Sequence, residues 1–204
     1  MTTLVLMRHG ETVWNRQGRY LSRTDIPLDD EGLRGVRTAA GSLVSLRSPL
    51  LVSSPMLRAQ GTASVVSGAL GMTGFEIWEE LREIDFGIFE GETEASASRG
   101  PYAEEFRAWR DPSSGNPGAP GGESWKDVDV HTRRVLARLE EAGRDMVVVS
   151  HGCFLRAVLT HAVLGTSSHQ LRRLRLDNAA FAVLTGAPGK WVIAGQNVRT
   201  LPYE

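Results

Sequence analysis

The sequence predicts an α/β fold, a three-layer αβα sandwich on a mainly parallel central sheet, and three observations carry that expectation. Leu4-Val5-Leu6-Met7 and Met146-Val147-Val148-Val149 are unbroken apolar runs, the pattern of strands buried on both faces. Segments with helical apolar spacing alternate with such runs, an order that gives crossover connections and parallel strands. Both runs also end in a basic or hydroxyl residue followed by His-Gly, and open α/β sheets bind ligands beyond the carboxyl ends of their strands.

Taken in order, Leu4 to Met7 is a strand that closes on Arg8-His9-Gly10. Asp29 or Asp30 caps a helix with Leu33, Val36, Ala40, Leu43 and Val44 at helical spacing. Leu50 to Val52 is the next strand; Pro55 suits the first turn of a helix carrying Leu57, Val65, Val66 and Leu70 and ending at Gly71. Phe75 to Trp78 reads as strand. Glu90 to Gly122 breaks the pattern and is expected to be an insertion or lid with at most one helix, around Tyr102 to Trp109. Ser124-Trp125-Lys126-Asp127 resembles a capping box opening a helix with Trp125, Val128, Val135, Leu136 and Leu139 on one face. A strand over Asp145 to Val149 runs into Ser150-His151-Gly152, followed by a helix with Phe154, Leu155, Val158, Leu159 and Val163 that stops at Gly165. Ala180 to Leu184 and Trp191 to Ala194 finish as strands, a hairpin around Gly186 to Lys190.

A chain of 204 residues, 41% hydrophobic and 23% charged, reads as one globular domain over 1–204 with a lid or insertion at about 90–122. Its 23 basic and 24 acidic residues give a net charge of -1, which offers no electrostatic reason to expect nucleic acid or an anionic membrane as partner. Cys153 is the only cysteine, so neither an intrachain disulfide nor a cysteine-based zinc site can form. With no basic segment before its short N-terminal apolar run, the chain is expected in the cytoplasm.

The chemistry concentrates at the two strand ends. If the fold brings His9 and His151 together, two imidazoles and Arg8 face one crevice. Arg8 offers a planar fork of donors that matches a phosphate, and Gly10 leaves room for backbone amides to approach the same anion. A single histidine after a strand is more often structural than catalytic. A metal site is weaker still, because no His lies three or four residues from another.

Leu6-Met7-Arg8-His9-Gly10-Glu11-Thr12 with Asn15 resembles the signature of the histidine phosphatase superfamily, the phosphoglycerate mutase-like proteins. Further segments agree in the same order: Thr24-Asp25-Ile26-Pro27-Leu28 with Glu31-Gly32, Ser53-Ser54-Pro55-Met56-Leu57-Arg58-Ala59 with Thr62-Ala63, Leu81-Arg82-Glu83-Ile84-Asp85-Phe86-Gly87 with Glu90-Gly91, Pro120-Gly121-Gly122-Glu123-Ser124, and Val149-Ser150-His151-Gly152. The resemblance implies that His9 attacks the phosphoryl group and becomes a phosphohistidine, which water then hydrolyses. It implies that Arg8, Arg58 and His151, helped by Asn15, hold the phosphoryl oxygens, so that no metal and no cofactor is needed. Glu83 would donate a proton to the leaving alkoxide; without the resemblance it reads as a surface glutamate beside Arg82. Glu123 and Ser124 either cap the following helix or touch substrate. Cys153 reads as a packing residue whose backbone N–H, with Gly152, helps bind phosphate. Trp14, Trp109 and Trp125 either line the organic part of the substrate or are buried anchors.

Subtype follows from the departures. In the mutases the segment after Asn15 resembles Arg-Phe-Thr-Gly-Trp, whose Thr-Gly pair touches substrate; here Leu21 and Ser22 stand in that place, and Arg23 replaces the Trp. Phe86 lacks the hydroxyl of the mutases' Tyr, and no Arg-Arg pair lies between Gly91 and Ser124, although Arg99, Arg107 and Arg110 remain as single cations. Fewer distal anion contacts favour escape of product over transfer. The resemblance therefore implies a phosphoric monoester hydrolase of histidine acid phosphatase type acting on a small phosphomonoester, similar to α-ribazole phosphatases. A phosphoglycerate mutase, a non-catalytic phosphoester-binding module and a metal-dependent hydrolase are the alternatives. A homodimer is compatible with this reading.

Overall fold

In a computed structural model, which describes residues 1–111, 118–165 and 174–202, the strands are β1 (Thr2–Arg8), β2 (Leu50–Ser53), β3 (Glu76–Ile77), β4 (Met146–Ser150), β5 (Phe181–Ala187) and β6 (Lys190–Val198). They form one six-stranded sheet in the order β3-β2-β4-β1-β5-β6. The β3-β2-β4-β1 half is parallel, and β5 and β6 add an antiparallel edge, as expected of a mainly parallel sheet. Expected as a strand from Phe75 to Trp78, β3 is two residues long, since it sits at an edge with both residues exposed and little side-chain burial to extend it.

Alternation along the strands divides the core. Leu4, Leu6, Val52, Met146 and Val148 face one side, packed with α6 (Trp125–Glu141) and α7 (Gly152–Leu159). Val5, Met7, Leu51, Val147 and Val149 face the other, against α2 (Asp30–Gly41) and α3 (Leu57–Ala69). The parallel strands β1, β2 and β4 are thus covered on both faces, the physical reason their sequences are continuously apolar.

Local chemistry sets the helix ends. Asp29, not Asp30, caps α2, its carboxylate accepting the Gly32 N–H at 2.8 Å. Helix α3 begins at Leu57, so Pro55 lies outside it rather than in its first turn. No local side chain caps it; the Leu57 N–H instead donates to Asp25 Oδ1 at 2.7 Å, from a loop distant in sequence. Ser124 caps α6 through the expected capping box with Asp127. Helix α7 continues into a π-helical turn, Thr160–Leu164, and ends at Gly165 with φ 60°. A single turn, α1 (Val13–Arg16), capped by Thr12, was not foreseen.

The segment expected to be a lid with at most one helix contains two, α4 (Glu94–Ala97) and α5 (Ala103–Arg110). Phe106 and Trp109 of α5 are buried in an aromatic cluster with Tyr20, Phe86 and Phe89, ring centroids 5.2 to 5.9 Å apart. Burying side chains of this size contributes roughly 2–3 kcal/mol each, so these two helices are part of the core. Residues 112–117 of the expected lid lie outside the described residues. Among the described residues, no helix is long and apolar enough to cross a membrane.

Candidate active site

Parallel pairing places the two histidines side by side. In the β1/β4 register Arg8 stands opposite Ser150, and the His9 N–H continues the ladder to the Ser150 carbonyl at 2.9 Å. The next side chain on each strand is a histidine, and their ring centroids lie 5.2 Å apart. His9 is 3% exposed. Its Nδ1 lies 2.7 Å from the Gly10 carbonyl, which can only accept, so Nδ1 carries the proton and Nε2 presents a lone pair. Burial, with Arg58 and Arg8 nearby, pushes the His9 pKa well below its ordinary value and keeps the ring neutral.

Among the described residues, three buried nitrogens around this ring lack a partner: Arg8 Nε, Arg58 Nε and His151 Nδ1. Arg58, the second residue of α3, is fully buried, against the exposed position a helix first turn suggests. Its Nη1 donates to the Thr24 carbonyl at 2.9 Å and its Nη2 to Ser22 O at 2.7 Å, and burial lowers its pKa to about 10. Arg8 Nη1 donates to Leu176 O at 2.9 Å. His151 Nε2 pairs with Ser54 Oγ at 2.8 Å, and burial beside Arg58 holds its pKa well below the ordinary range. Two guanidinium groups with a buried N–H apiece to spare are an arrangement suited to an anion, since buried polar groups otherwise find partners.

Glu83 is 5% exposed and is not the surface residue its loop position suggests. Ser150 Oγ donates to Leu81 O at 2.7 Å and ties the Glu83 segment to the end of β4. Glu83 Oε1 accepts the N–H groups of Ile84 at 3.0 Å and Phe154 at 2.8 Å, and Oε2 accepts that of Cys153 at 3.0 Å. Desolvation raises its pKa although these three amides oppose the shift. Oε1 already serves two donors, so Oε2 is the oxygen with room for a proton.

Several expected substrate contacts are occupied within the protein. The Cys153 N–H serves Glu83 rather than standing ready for phosphate. The Gly10 N–H donates to Thr62 Oγ1 at 3.0 Å, and Gly10 is glycine because a Cβ would meet Val36 at 2.6 Å and the Gly32 carbonyl at 2.8 Å. Leu21 and Ser22 are buried, and the Ser22 hydroxyl donates to Glu90 while accepting the Phe86 N–H at 3.3 Å. Arg23 lies between Asp85 Oδ2 at 3.4 Å and Glu123 Oε2 at 3.2 Å, so it is neutralised. Glu123 therefore binds Arg23 and the Asp85 N–H instead of capping α6. Asn15 Oδ1 accepts from Thr12 and from Asn178 Nδ2, which turns its own Nδ2 donors elsewhere. The Gly152 N–H, first of α7, donates to no described residue and remains the backbone group suited to an anion.

Sequence reasoning missed four supports. Glu90 accepts the N–H groups of Ser22 and Thr24, and so grips from one side the loop that Arg58 grips from the other. It stood in a recognised segment without a role. Thr62 and Ser54 also lay in recognised segments, but nothing in the sequence said which atoms they would meet. Asn178, whose amide donates to His9 O and Gly10 O at 3.2 Å each, carried no signal at all. Among the described residues no group of three or more His, Cys, Asp or Glu side chains converges as a metal site.

Residues 4–199 match the family model of the histidine phosphatase superfamily (branch 1), and the chain belongs to that superfamily. It is 32% identical over 202 residues to a probable phosphoglycerate mutase of Yersinia pestis, covering 96% of this chain and 90% of the relative. Among solved structures it is similar to the α-ribazole phosphatase of Shigella flexneri, with a TM-score of 0.86 and 25% identity over 100% of both chains. It is also similar to a phosphoserine phosphatase of Entamoeba histolytica in complex with 3-phosphoglyceric acid, with a TM-score of 0.84 and 26% identity over 97% of this chain and 98% of that one. Phosphatases and a probable mutase therefore stand among its relatives, and the α/β architecture expected from the sequence is that of the solved ones.

Proposed function

We propose that the protein is a metal-independent phosphomonoesterase that hydrolyses a small phosphorylated metabolite through a phosphohistidine at His9. What carries this reading is the cluster of buried nitrogens of Arg8, Arg58 and His151, unpartnered among the described residues, beside a neutral His9 whose Nε2 lone pair is presented. Phosphoryl transfer is catalysed mainly by positioning and charge compensation, which two guanidinium groups supply here.

In the first step Nε2 of His9 attacks phosphorus, the ester P–O bond breaks, and Glu83 Oε2 gives its proton to the leaving alkoxide. In the second, water attacks the phosphohistidine, its proton passes to the Glu83 carboxylate, and the N–P bond breaks to release phosphate. The raised pKa of Glu83 suits the first step and the lowered pKa of His9 keeps the nucleophile unprotonated. Hydrolysis is preferred to transfer because Phe86 has no hydroxyl, Leu21 is buried, and Arg23 is held by Asp85 and Glu123. Phosphoglycerate mutase activity is the second reading, favoured by the 32% identity to the probable mutase.

The test is phosphate release by EDTA-treated protein from a panel of phosphomonoesters that includes 3-phosphoglycerate, with His9→Ala alongside. Release that survives EDTA and vanishes in the variant is expected. Isomerisation of 3-phosphoglycerate in the presence of a bisphosphate primer, without net release, would establish the mutase instead. Neither activity, with no acid-labile phosphoryl label on the protein, would leave a binding module.

A further inference from the structure

A cleft of about 170 Å³ opens beside the site, walled by Tyr20, Phe86, Trp109 and Trp125, with Arg110, Cys153 and Arg156 on its polar side. Cys153, one of its lining residues, gives its N–H to Glu83 Oε2, so the cleft adjoins the carboxyl group that would protonate a leaving ester oxygen. An apolar cavity of about 150 Å³ holds one benzene molecule, which makes this cleft fit a single ring or short chain, not a nucleoside.

The cations around the cleft are not equivalent. Arg110 donates to Tyr20 Oη at 3.1 Å and to Glu94 Oε1 at 3.3 Å. Arg156 forms no ion pair among the described residues. Its Nε donates to Gly152 O at 2.9 Å, its Nη1 to Leu174 O at 3.3 Å and its Nη2 to Cys153 Sγ at 3.1 Å. These neutral partners fix the planar group and, among the described residues, leave its full positive charge and two of its five N–H donors uncompensated.

We propose that Arg156 is a specificity-determining residue that takes a carboxylate on the substrate's leaving group, whose small apolar body lies against Tyr20, Phe86 and Trp109. The proposal rests on the phosphomonoesterase reading for the word substrate, not for the subsite itself. A carboxylate suits the charge: one guanidinium balances a monoanion, whereas a second phosphate dianion would leave excess charge against aromatic walls.

A matched pair of esters tests it, 4-(carboxymethyl)phenyl phosphate and its carbamoylmethyl counterpart, which share size and leaving-group chemistry and differ in charge. The native protein should favour the acid in kcat/KM by about tenfold or more, the worth of one charge-assisted hydrogen bond. Arg156→Gln should bring the ratio near one, whatever its effect on absolute rates, and Arg156→Lys should restore part of it. A native ratio near one, or a preference that persists in Arg156→Gln, overturns the proposal. A second arm needs no turnover: 4-hydroxyphenylacetate should protect Cys153 from iodoacetamide at concentrations about tenfold lower than its amide does, and equal protection overturns the subsite. Protection by the acid without hydrolysis of either ester would sustain the subsite and count against the phosphatase reading alone.

Discussion

Gly152→Ala separates the aim of the anion site from the stability of the fold. Gly152 opens α7 beside the guanidinium of Arg8, and a Cβ built there lies 3.1 Å from Arg8 Nε and 3.2 Å from Cζ. The contact is tight but falls on a side chain, and Gly152 is not among the glycines with positive φ, so the backbone accepts alanine. Stability should therefore change by no more than about 1 kcal/mol. The methyl group does reach the Arg8 N–H that lacks a partner among the described residues, and Arg8 is tethered at its far end to Leu176 O. Obstructing one charge-assisted hydrogen bond to the phosphoryl group costs about 1.5–3 kcal/mol, or roughly 10- to 100-fold in kcat/KM. Hydrolysis of an aryl phosphate and urea denaturation of the same preparations measure both quantities. Activity within twofold of native at unchanged stability would refute the role given to Arg8 Nε, and a large loss of stability would refute the claim that the clash stays in one side chain.

Glu83→Gln should slow hydrolysis of alkyl phosphates by about 10²- to 10⁴-fold and of aryl phosphates, whose leaving groups need no proton, far less; equal losses in parallel assays would remove Glu83 from proton transfer. Glu90→Ala should destabilise the protein by roughly 3 kcal/mol and raise KM, because the buried Ser22 N–H and hydroxyl lose their acceptor and Arg58 loses the far side of its loop; urea midpoints and KM check it. His9 and His151 are buried neutral with lowered pKa values, so the stability they confer is complete above their unfolded pKa of about 6.5 and is lost as pH falls below it, at up to about 1.4 kcal/mol per pH unit for each. Glu83, with its raised pKa, acts in the opposite sense, favouring the folded state as pH falls toward its unfolded value. Unfolding free energies measured from pH 7.5 to 5.5 should decline, with a shallower slope in His151→Gln; a flat profile in both would contradict neutral burial.

Much of the architecture was legible because its signals are local. Continuous apolar runs marked β1, β2 and β4, and helical spacing marked α2, α3, α6 and α7. Where local and tertiary influences compete, the reading slipped. Pro55 looked like a helix start, yet the start is set by Asp25 reaching the Leu57 N–H from another loop. The segment after Glu90 looked like a lid because Gly, Pro and Ser dominate its far end, while Phe106 and Trp109 find their partners only among Tyr20, Phe86 and Phe89 from elsewhere.

The sequence by itself determined which chemical groups are available: a histidine at each of two strand ends, two arginines in recognisable segments, one glutamate and a single cysteine. Only the tertiary structure decided how each is used. The β1/β4 register sets the two rings 5.2 Å apart, and the Gly10 carbonyl chooses the His9 tautomer. Burial lowers the pKa values of both histidines and raises that of Glu83. Pairing decided which cations stay charged toward a ligand, since Arg23 is neutralised by two carboxylates while Arg156 meets none among the described residues. The reason is that tautomer, proton affinity and effective charge depend on the atoms within a few ångströms, and most of those atoms come from parts of the chain remote in sequence.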